Sequence, residues 1–411
     1  MPGAAEGPPP TVAAAGSAAA RTPPPRHLQH LLSLDDFEPA AARHLPRPLY
    51  GYISGGVESN VSLRANRAAF DAWHFVPRVL VDTRGRHQRR SVLGRHYDRP
   101  FGIAPMGGTG LAAYQGDAAL ARAATVLNMP MIQSGASVAR LEHVRAISDH
   151  TWFQAYLPGD LVVIGALVDR VARAGFDTLV VTVDVPVPGN RENNVRSGYS
   201  SPIIPTPRLA WDCALRPRWL VDTFLRTVVR HGLPHLENMG GPRIPLFTRS
   251  HTRPQPPRDG LDWSHIAMIR ERWKGHFVLK GVLAHADVRR AREIGLDGII
   301  VSNHGGRQLD GTLAPLQALP LLVGEAGGMA VMLDSGIRRG TDVLKALALG
   351  ADFVFVGRPF LYAAALGGEA GVRHATTLLS DEVDRNMAML GLCSLDEVGT
   401  LELVPASGAG R

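Results

Sequence analysis

The chain has 411 residues, 45% of them hydrophobic and 20% charged, enough to bury a large core as two ordinary domains or as one large α/β barrel. Two cysteines, Cys213 and Cys393, exclude a disulfide framework and fit a reducing compartment, so a cytoplasmic location is expected. The formal charge is +7, but the arginines are scattered rather than blocked, which argues against a nucleic-acid partner.

Residues 1–26 are rich in Pro, Ala and Gly and almost devoid of bulky side chains, so a disordered tail is expected there. Arg21 is their first positive side chain, which argues against a signal peptide, and no apolar run approaches a membrane span. The protein is therefore expected to be soluble or at most peripheral. Residues 27–411 are expected to form one domain, opened by a helical and irregular lead-in over 27–99.

From Phe101 onward a pattern repeats: a short apolar run ends in Gly, Ser, Asp or Asn, and a segment with helical character follows. Eight such runs start at Phe101, Pro130, Trp152, Thr178, His276, Gly298, Ala330 and Phe353. Most starts lie roughly 20 to 30 residues apart, the length of a strand and a returning helix. Eight βα units predict a TIM (β/α)8 barrel of parallel strands. Asp117 is expected to cap the helix in "GDAALARAATVL", and "TDVLKALALG" reads as a helix from Thr341 to Gly350. Between the fourth and fifth runs lie about ninety residues, too many for an ordinary connection, so 190–265 is expected to be an insertion over the barrel mouth.

Reactive groups of such barrels sit at the C-terminal strand ends, and here those ends are polar. They carry Ser134, Gln154 with Tyr156, Thr182 with Asp184, Lys280, Ser302 with Asn303 and His304, Asp334, and Arg358. Helix capping accounts for Ser134 or Asp334 taken singly but not for the set, because Lys280, His304, Arg307 and Asp184 are ionisable groups converging on one face. "LDSGIRRG" and "VGRP" follow the last two runs, where these barrels commonly bind phosphate. Neither a Rossmann glycine motif nor a P-loop is present, and no His or Cys spacing suggests a metal site.

"SNHGGRQLDG", Ser302–Gly311, resembles the active-site signature of the FMN-dependent 2-hydroxyacid dehydrogenase and oxidase family, the lactate, glycolate and mandelate flavoenzymes. The likeness covers about residues 45 to 400 and includes "YISGGVES", "NRAAF", "FVPRVLVD", "IAP", "FQAY", "TVDVPVPGNRE", "VLKGV", "LDSGIRRGTDVLKALALGAD" and "VGRP" in the family's order. The resemblance implies FMN as cofactor and His304 as the base, with Asp184 hydrogen-bonded to its imidazole. It implies Arg307 as a bidentate clamp on the substrate carboxylate, Tyr52 and Tyr156 as pocket tyrosines, and Arg191 as a second arginine near the mouth. Ser134, Gln154, Thr182 and Lys280 would hold the flavin ring, with Ser302 nearby. Asp334, Ser335, Gly336, Arg338, Gly357 and Arg358 would take the ribityl chain and phosphate, and Pro105, Met106 and Gly107 would pack on the ring.

Lys280 is one of three lysines against 41 arginines. A compact ammonium on a slim stem can stand beside a flavin edge that a guanidinium would crowd. Ala136 stands where glycolate-type members carry a large aromatic, so a roomier substrate pocket is expected. Met106 replaces a residue that is often Thr, while Ser335 and "PHLENM" look more like the dehydrogenase branch.

In "RPRWLVDTFLRTVVRHG" the residues Leu220, Val221, Phe224, Leu225 and Val228 fall on one helical face, opposite Asp222, Thr223, Arg226, Thr227 and Arg230. That face either packs on the barrel or a neighbouring subunit, or touches the inner face of the cell membrane to pass electrons to a quinone. The combined expectation is an FMN enzyme that oxidises an (S)-2-hydroxy acid of lactate or mandelate type, with a quinone or oxygen as acceptor, assembled as a homotetramer. Outside that family, a flavin-dependent isomerase and a catalytically dead binding module remain open at this point.

Overall fold

The computed structural model describes residues 23–239, 243–248 and 258–406. All eight runs become barrel strands: β1 Phe101–Ile103, β2 Met131–Ser134, β3 Thr151–Ala155, β4 Thr178–Thr182, β5 His276–Val282, β6 Gly298–Val301, β7 Ala330–Leu333 and β8 Phe353–Val356. All pairings are parallel, and β8 pairs with β1 to close the barrel. The expected tail lies outside the described residues up to residue 22.

Strand side chains alternate between two packing environments, as the period of two requires. Leu179 and Val181 join the large core shared with the outer helices, while Val180 joins the inner cluster with Ala104, Ile132, Trp152, Val278, Ile300, Met332, Phe353 and Phe355. A hairpin of Arg90–Val92 and Arg95–Tyr97 contributes Val92 and Tyr97 to that cluster. Continuing the inner rows by two residues toward the C-terminal ends gives Ser134, Gln154, Thr182, Lys280, Ser302, Asp334 and Gly357. The rim is thus polar because six of the eight strands pass from an apolar to a polar inward residue at this step, while β8 reaches Gly357 and β1 reaches Met106. Register holds the row level, with Ser134 opposite Gln154 and Lys280 opposite Thr182.

The lead-in contains α1 Leu34–His44, α2 Arg47–Ser54 and α3 Val61–Asp71. Asp36 tightens the start of α1 by accepting from the amides of Leu32 and Ser33. Asn66 on α3 exchanges two hydrogen bonds with buried Asn303, at 2.8 and 2.7 Å. Asp310 accepts from the first α3 amides, Val61 and Ser62. These contacts dock the lead-in onto the loop after β6 and bring Tyr52 of α2 to the mouth. The strand Trp73–Phe75 pairs with Leu403–Pro405, joining lead-in to C-terminus.

Two local expectations fail. Asp117 does not cap its helix, which spans Gly116–Val126 with Gln115 at the cap position. Its carboxylate instead accepts from Thr109 Oγ1 (2.5 Å) and Ser137 Oγ (2.7 Å), tying the loop after β1 to the loop after β2. Burial pushes its pKa up to about 6, against the pull of those two hydroxyls.

The second failure concerns the 220–230 face. A π-helical turn over Leu220–Leu225 joins Pro217–Trp219 to Arg226–His231 and shifts the phase that a 3.6-residue period predicts. Trp219 and Thr223 are buried, whereas Val221, Leu225 and Val229 are exposed. Trp219 donates its indole N–H to the Leu111 carbonyl at 2.8 Å and stacks on Phe224. The exposed ridge of Val221, Leu225 and Val229 is accompanied by exposed Trp211, Leu215 and Leu233. Among the described residues no helix is long and apolar enough to cross a membrane.

Candidate active site

The polar rim opens into a cavity of about 1040 Å³, lined from below by the barrel and from the side by α2 and the insertion. Tyr52, Pro105, Met106, Gly107, Ala136, Tyr156, Thr182, Arg191, Lys280, His304, Arg307, Asp334, Ser335, Gly336, Arg338, Gly357 and Arg358 all reach it. Beside them, Ser134 accepts from the Ala136 amide, Ser302 from Lys280, and Asp184 pairs with His304, while Gln154 is hydrogen-bonded to Ser134.

His304 is the centre of this arrangement. Its Nδ1 lies 2.9 Å from Asp184 Oδ1, and its Nε2 lies 3.5 Å from the Tyr156 hydroxyl. Burial lowers the imidazole pKa despite Asp184, so at neutral pH the ring is uncharged. Nδ1–H then donates to the carboxylate, which leaves Nε2 as an acceptor. For Asp184, burial favours the protonated acid, but its interaction with His304 and the charge of Lys280 outweigh it and keep the carboxyl below its usual range. His304 has φ +58, followed by Gly305 and Gly306 at +68 and +71, a left-handed run that places the ring off the strand axis. Gly281 has φ +102, and a Cβ there would meet Asp184 Cβ at 2.6 Å, so glycine after Lys280 makes room for the carboxylate.

Lys280 is almost fully buried. Its ammonium donates to Ser302 Oγ at 2.8 Å and pairs with Asp334 Oδ2 at 3.0 Å. Burial alone favours the neutral amine, but Asp334 and Asp184 together raise its pKa, so it carries a buried positive charge. Ser302 Oγ also accepts from the His304 amide, coupling lysine to histidine through one hydroxyl.

Arg307 and Arg358 converge on the carbonyls at the end of α2. Arg307 donates to Tyr52, Ile53 and Gly55, and Arg358 to Ile53, Gly55 and Gly305. Burial, together with the charges of Arg191 and Arg358, pushes Arg307 down to about 9, still charged at neutral pH and short of negative partners. Arg191 is held by the Arg307 carbonyl and Gln308 Oε1. Ser335 Oγ accepts from the Gly305 amide and donates to Asp334. Among the described residues the half-buried Arg338 guanidinium finds only its neighbour's carbonyl, Ile337.

Three buried polar atoms at the rim have no hydrogen-bond partner among the described residues: the donors Gln154 Nε2 and Thr182 Oγ1, and the acceptor Asp184 Oδ2. Ser134 Oγ and the Gly135 amide both donate to Gln154 Oε1, which fixes the amide group. Buried donors in this state await a polar ligand edge, and with the anion-poor arginines Arg338 and Arg358 they suit a polar ring that carries a phosphate. A flavin mononucleotide meets both demands.

Sequence reasoning missed several lining residues. Tyr199 stacks on Tyr52 with centroids 4.4 Å apart, and Arg258 lies over the Tyr156 ring at 4.6 Å. Buried Leu236, Met239 and Leu246 give the outer wall an apolar surface. All belong to stretches of the insertion outside residues 216–232, which show no periodicity that could orient a side chain.

A family model described as FMN-dependent dehydrogenase matches residues 41–404. The chain is 36% identical over 365 residues to an (S)-mandelate dehydrogenase of Pseudomonas putida, covering 88% of this chain and 91% of that protein. It is 37% identical over 377 residues to an L-lactate oxidase of Lysinibacillus sphaericus, covering 91% and 92%. Among solved structures, the monotopic membrane protein (S)-mandelate dehydrogenase superposes with a TM-score of 0.82 at 35% identity, covering 91% of this chain and all of that one.

Proposed function

The chain belongs to the FMN-dependent 2-hydroxyacid dehydrogenase and oxidase family, and from that premise we propose that it oxidises an (S)-2-hydroxy acid of mandelate or lactate type to the 2-oxo acid, with His304 as base. The observation that carries this reading is the convergence of His304, Asp184, Tyr156 and Arg307 on one cavity. FMN, the family's cofactor, supplies the two-electron acceptor for the substrate's hydrogen.

Around it, Ser134, Gln154, Thr182, Lys280 and Ser302 hold the ring. Asp334, Ser335, Gly336, Arg338, Gly357 and Arg358 hold the ribityl chain and phosphate, and Pro105, Met106 and Gly107 form the adjoining wall. Arg307 clamps the substrate carboxylate, with Arg191 and Tyr52 beside it. The Tyr156 hydroxyl steadies the substrate hydroxyl. His304 Nε2 takes a proton from the substrate, and Asp184 stabilises the resulting imidazolium.

For the acceptor we favour a quinone reached at a membrane surface. Exposed Val221, Leu225 and Val229 form an apolar ridge on the insertion, and exposed Arg226 and Arg230 flank it. Such a surface suits shallow insertion among anionic lipids on the cytoplasmic side. Oxygen is the second reading, supported by the likeness to an L-lactate oxidase. We take the assembly to be a homotetramer, as the family resemblance implies, a point that light scattering tests.

The deciding experiment mixes FMN-loaded enzyme anaerobically with L-lactate and, separately, (S)-mandelate, then admits air. Bleaching of flavin absorbance by either acid supports the oxidation. Fast return of colour in air favours the oxidase and slow return the dehydrogenase, while no bleaching by any 2-hydroxy acid overturns the reading.

A further inference from the structure

The charges around the cavity do not balance. Among the described residues its lining carries the cations Arg191, Arg258, Lys280, Arg307, Arg338 and Arg358, against the one carboxylate Asp334. Lys280 is satisfied by Asp334, and Arg191 is held by the Arg307 carbonyl and Gln308. On the reading above, the cofactor phosphate takes Arg338 and Arg358, and the substrate's own carboxylate takes Arg307. Arg258 is left over.

Its setting is unusual for an arginine. The guanidinium lies on the Tyr156 ring at 4.6 Å, one aromatic ring away from His304, and makes no hydrogen bond or ion pair with any described residue. The segment before it, "RSHTRPQPP", residues 249–257, contains no Asp or Glu that could neutralise it. A partly buried guanidinium whose in-plane donors lack acceptors is costly, and an incoming anion recovers that cost through charge-assisted hydrogen bonds. Stacking on tyrosine occupies the flat face of the guanidinium and leaves those in-plane donors for a ligand. The same cavity is walled by the apolar side chains of Leu236, Met239 and Leu246, and Ala136 adds no bulk.

We propose that Arg258 is a specificity-determining residue, and that the preferred substrate is a 2-hydroxy acid whose apolar side chain ends in a second carboxylate. The inference rests on the 2-hydroxy acid reading and deepens it. Arg307 receives the carboxylate beside the reacting carbon, and Arg258 receives the distal one.

The test compares matched substrates on the FMN-loaded enzyme: (S)-4-carboxymandelate against (S)-4-methylmandelate, and (S)-malate against (S)-2-hydroxybutyrate. In the wild type, kcat/KM for the dicarboxylate of at least one pair is expected to exceed its partner by roughly tenfold or more. Arg258→Met is expected to erase that preference and Arg258→Lys to retain part of it. The wild-type preference is read without any variant, so misfolding of a variant does not spoil the test. Absence of preference in both pairs overturns the inference. An equal loss for both members of a pair in Arg258→Met does so too, because it places the residue's effect on Tyr156. Flavin reduction by the monocarboxylates without preference for the dicarboxylates sinks the Arg258 assignment alone. No reduction by any of the four acids, lactate or mandelate sinks the oxidation reading and this inference with it.

Discussion

Asp184 and His304 are 120 residues apart in the chain and 2.9 Å apart in space, joined Oδ1 to Nδ1 at the C-terminal rim of the barrel. The pairing fixes which ring nitrogen faces the cavity. Burial lowers the His304 pKa and Asp184 raises it, so removing the carboxylate lowers it further. His304 acts as a base only when neutral, so the acidic limb of kcat/KM should lie below the ordinary histidine range. In Asp184→Asn the plateau should drop about 10²-fold or more and the limb should move to still lower pH. A limb that stays in place in the variant would show that Asp184 does not act through His304.

Lys280 and Asp334 form a buried ion pair, and breaking such a pair leaves an unpaired charge, at a cost of about 3–5 kcal/mol. Lys280→Met should therefore lower Tm and weaken FMN retention. Lys280→Arg keeps the charge but adds bulk, and its flavin reduction rate, followed by anaerobic stopped flow, should fall well below wild type. A normal rate would contradict the argument for a compact ammonium.

Ala136 packs beside Gly107 in the cavity wall, its Cβ only 3.1 Å from where a Cβ on that glycine would stand. A large side chain at 136 should narrow the pocket. Ala136→Trp is expected to lower kcat/KM for mandelate by about 100-fold while sparing lactate, the smaller acid. Parallel steady-state assays on the two acids check this, and equal losses would place Ala136 away from the substrate side chain.

Asp117 predicts a pH dependence of stability. Its folded pKa is raised from 3.8 to about 6, so the folded state holds more protons than the unfolded state between those values, and stability falls as pH rises through that window. The full difference is ~3 kcal/mol. Asp117→Asn lacks this titration, so its Tm relative to wild type should be higher at pH 7.5 than at pH 5. A gap that does not change with pH would mean that the carboxyl titrates normally.

The exposed ridge on the insertion gives a last expectation. Replacing Val221, Leu225 and Val229 with Ser should cut sedimentation with anionic vesicles several-fold and leave lactate or mandelate oxidation in solution intact. The buried neighbours Trp219 and Thr223 are left in place to keep the helix seated. Unaltered vesicle binding would reassign the ridge to a protein contact.

The amino-acid sequence alone determined the eight strands, their closure into a barrel and most of the rim. Those features depend on local order: alternation along a strand sets which residue points inward, and a polar residue two steps beyond Val180, Val278 or Met332 must then lie at the mouth. Only the tertiary structure decided the role of Asp117, the face shown by residues 220–230, and the place of Arg258. Asp117 satisfies its carboxylate on hydroxyls of two loops rather than on its own helix. A single π turn rotates the insertion helix out of the phase that sequence periodicity assumes. Arg258 meets Tyr156 across about a hundred residues of chain, through a Pro-rich segment with no repeating pattern to aim a side chain. Local periodicity carries information only as far as one regular element extends, and contacts between elements follow from how the folded chain buries apolar surface and pairs its charges.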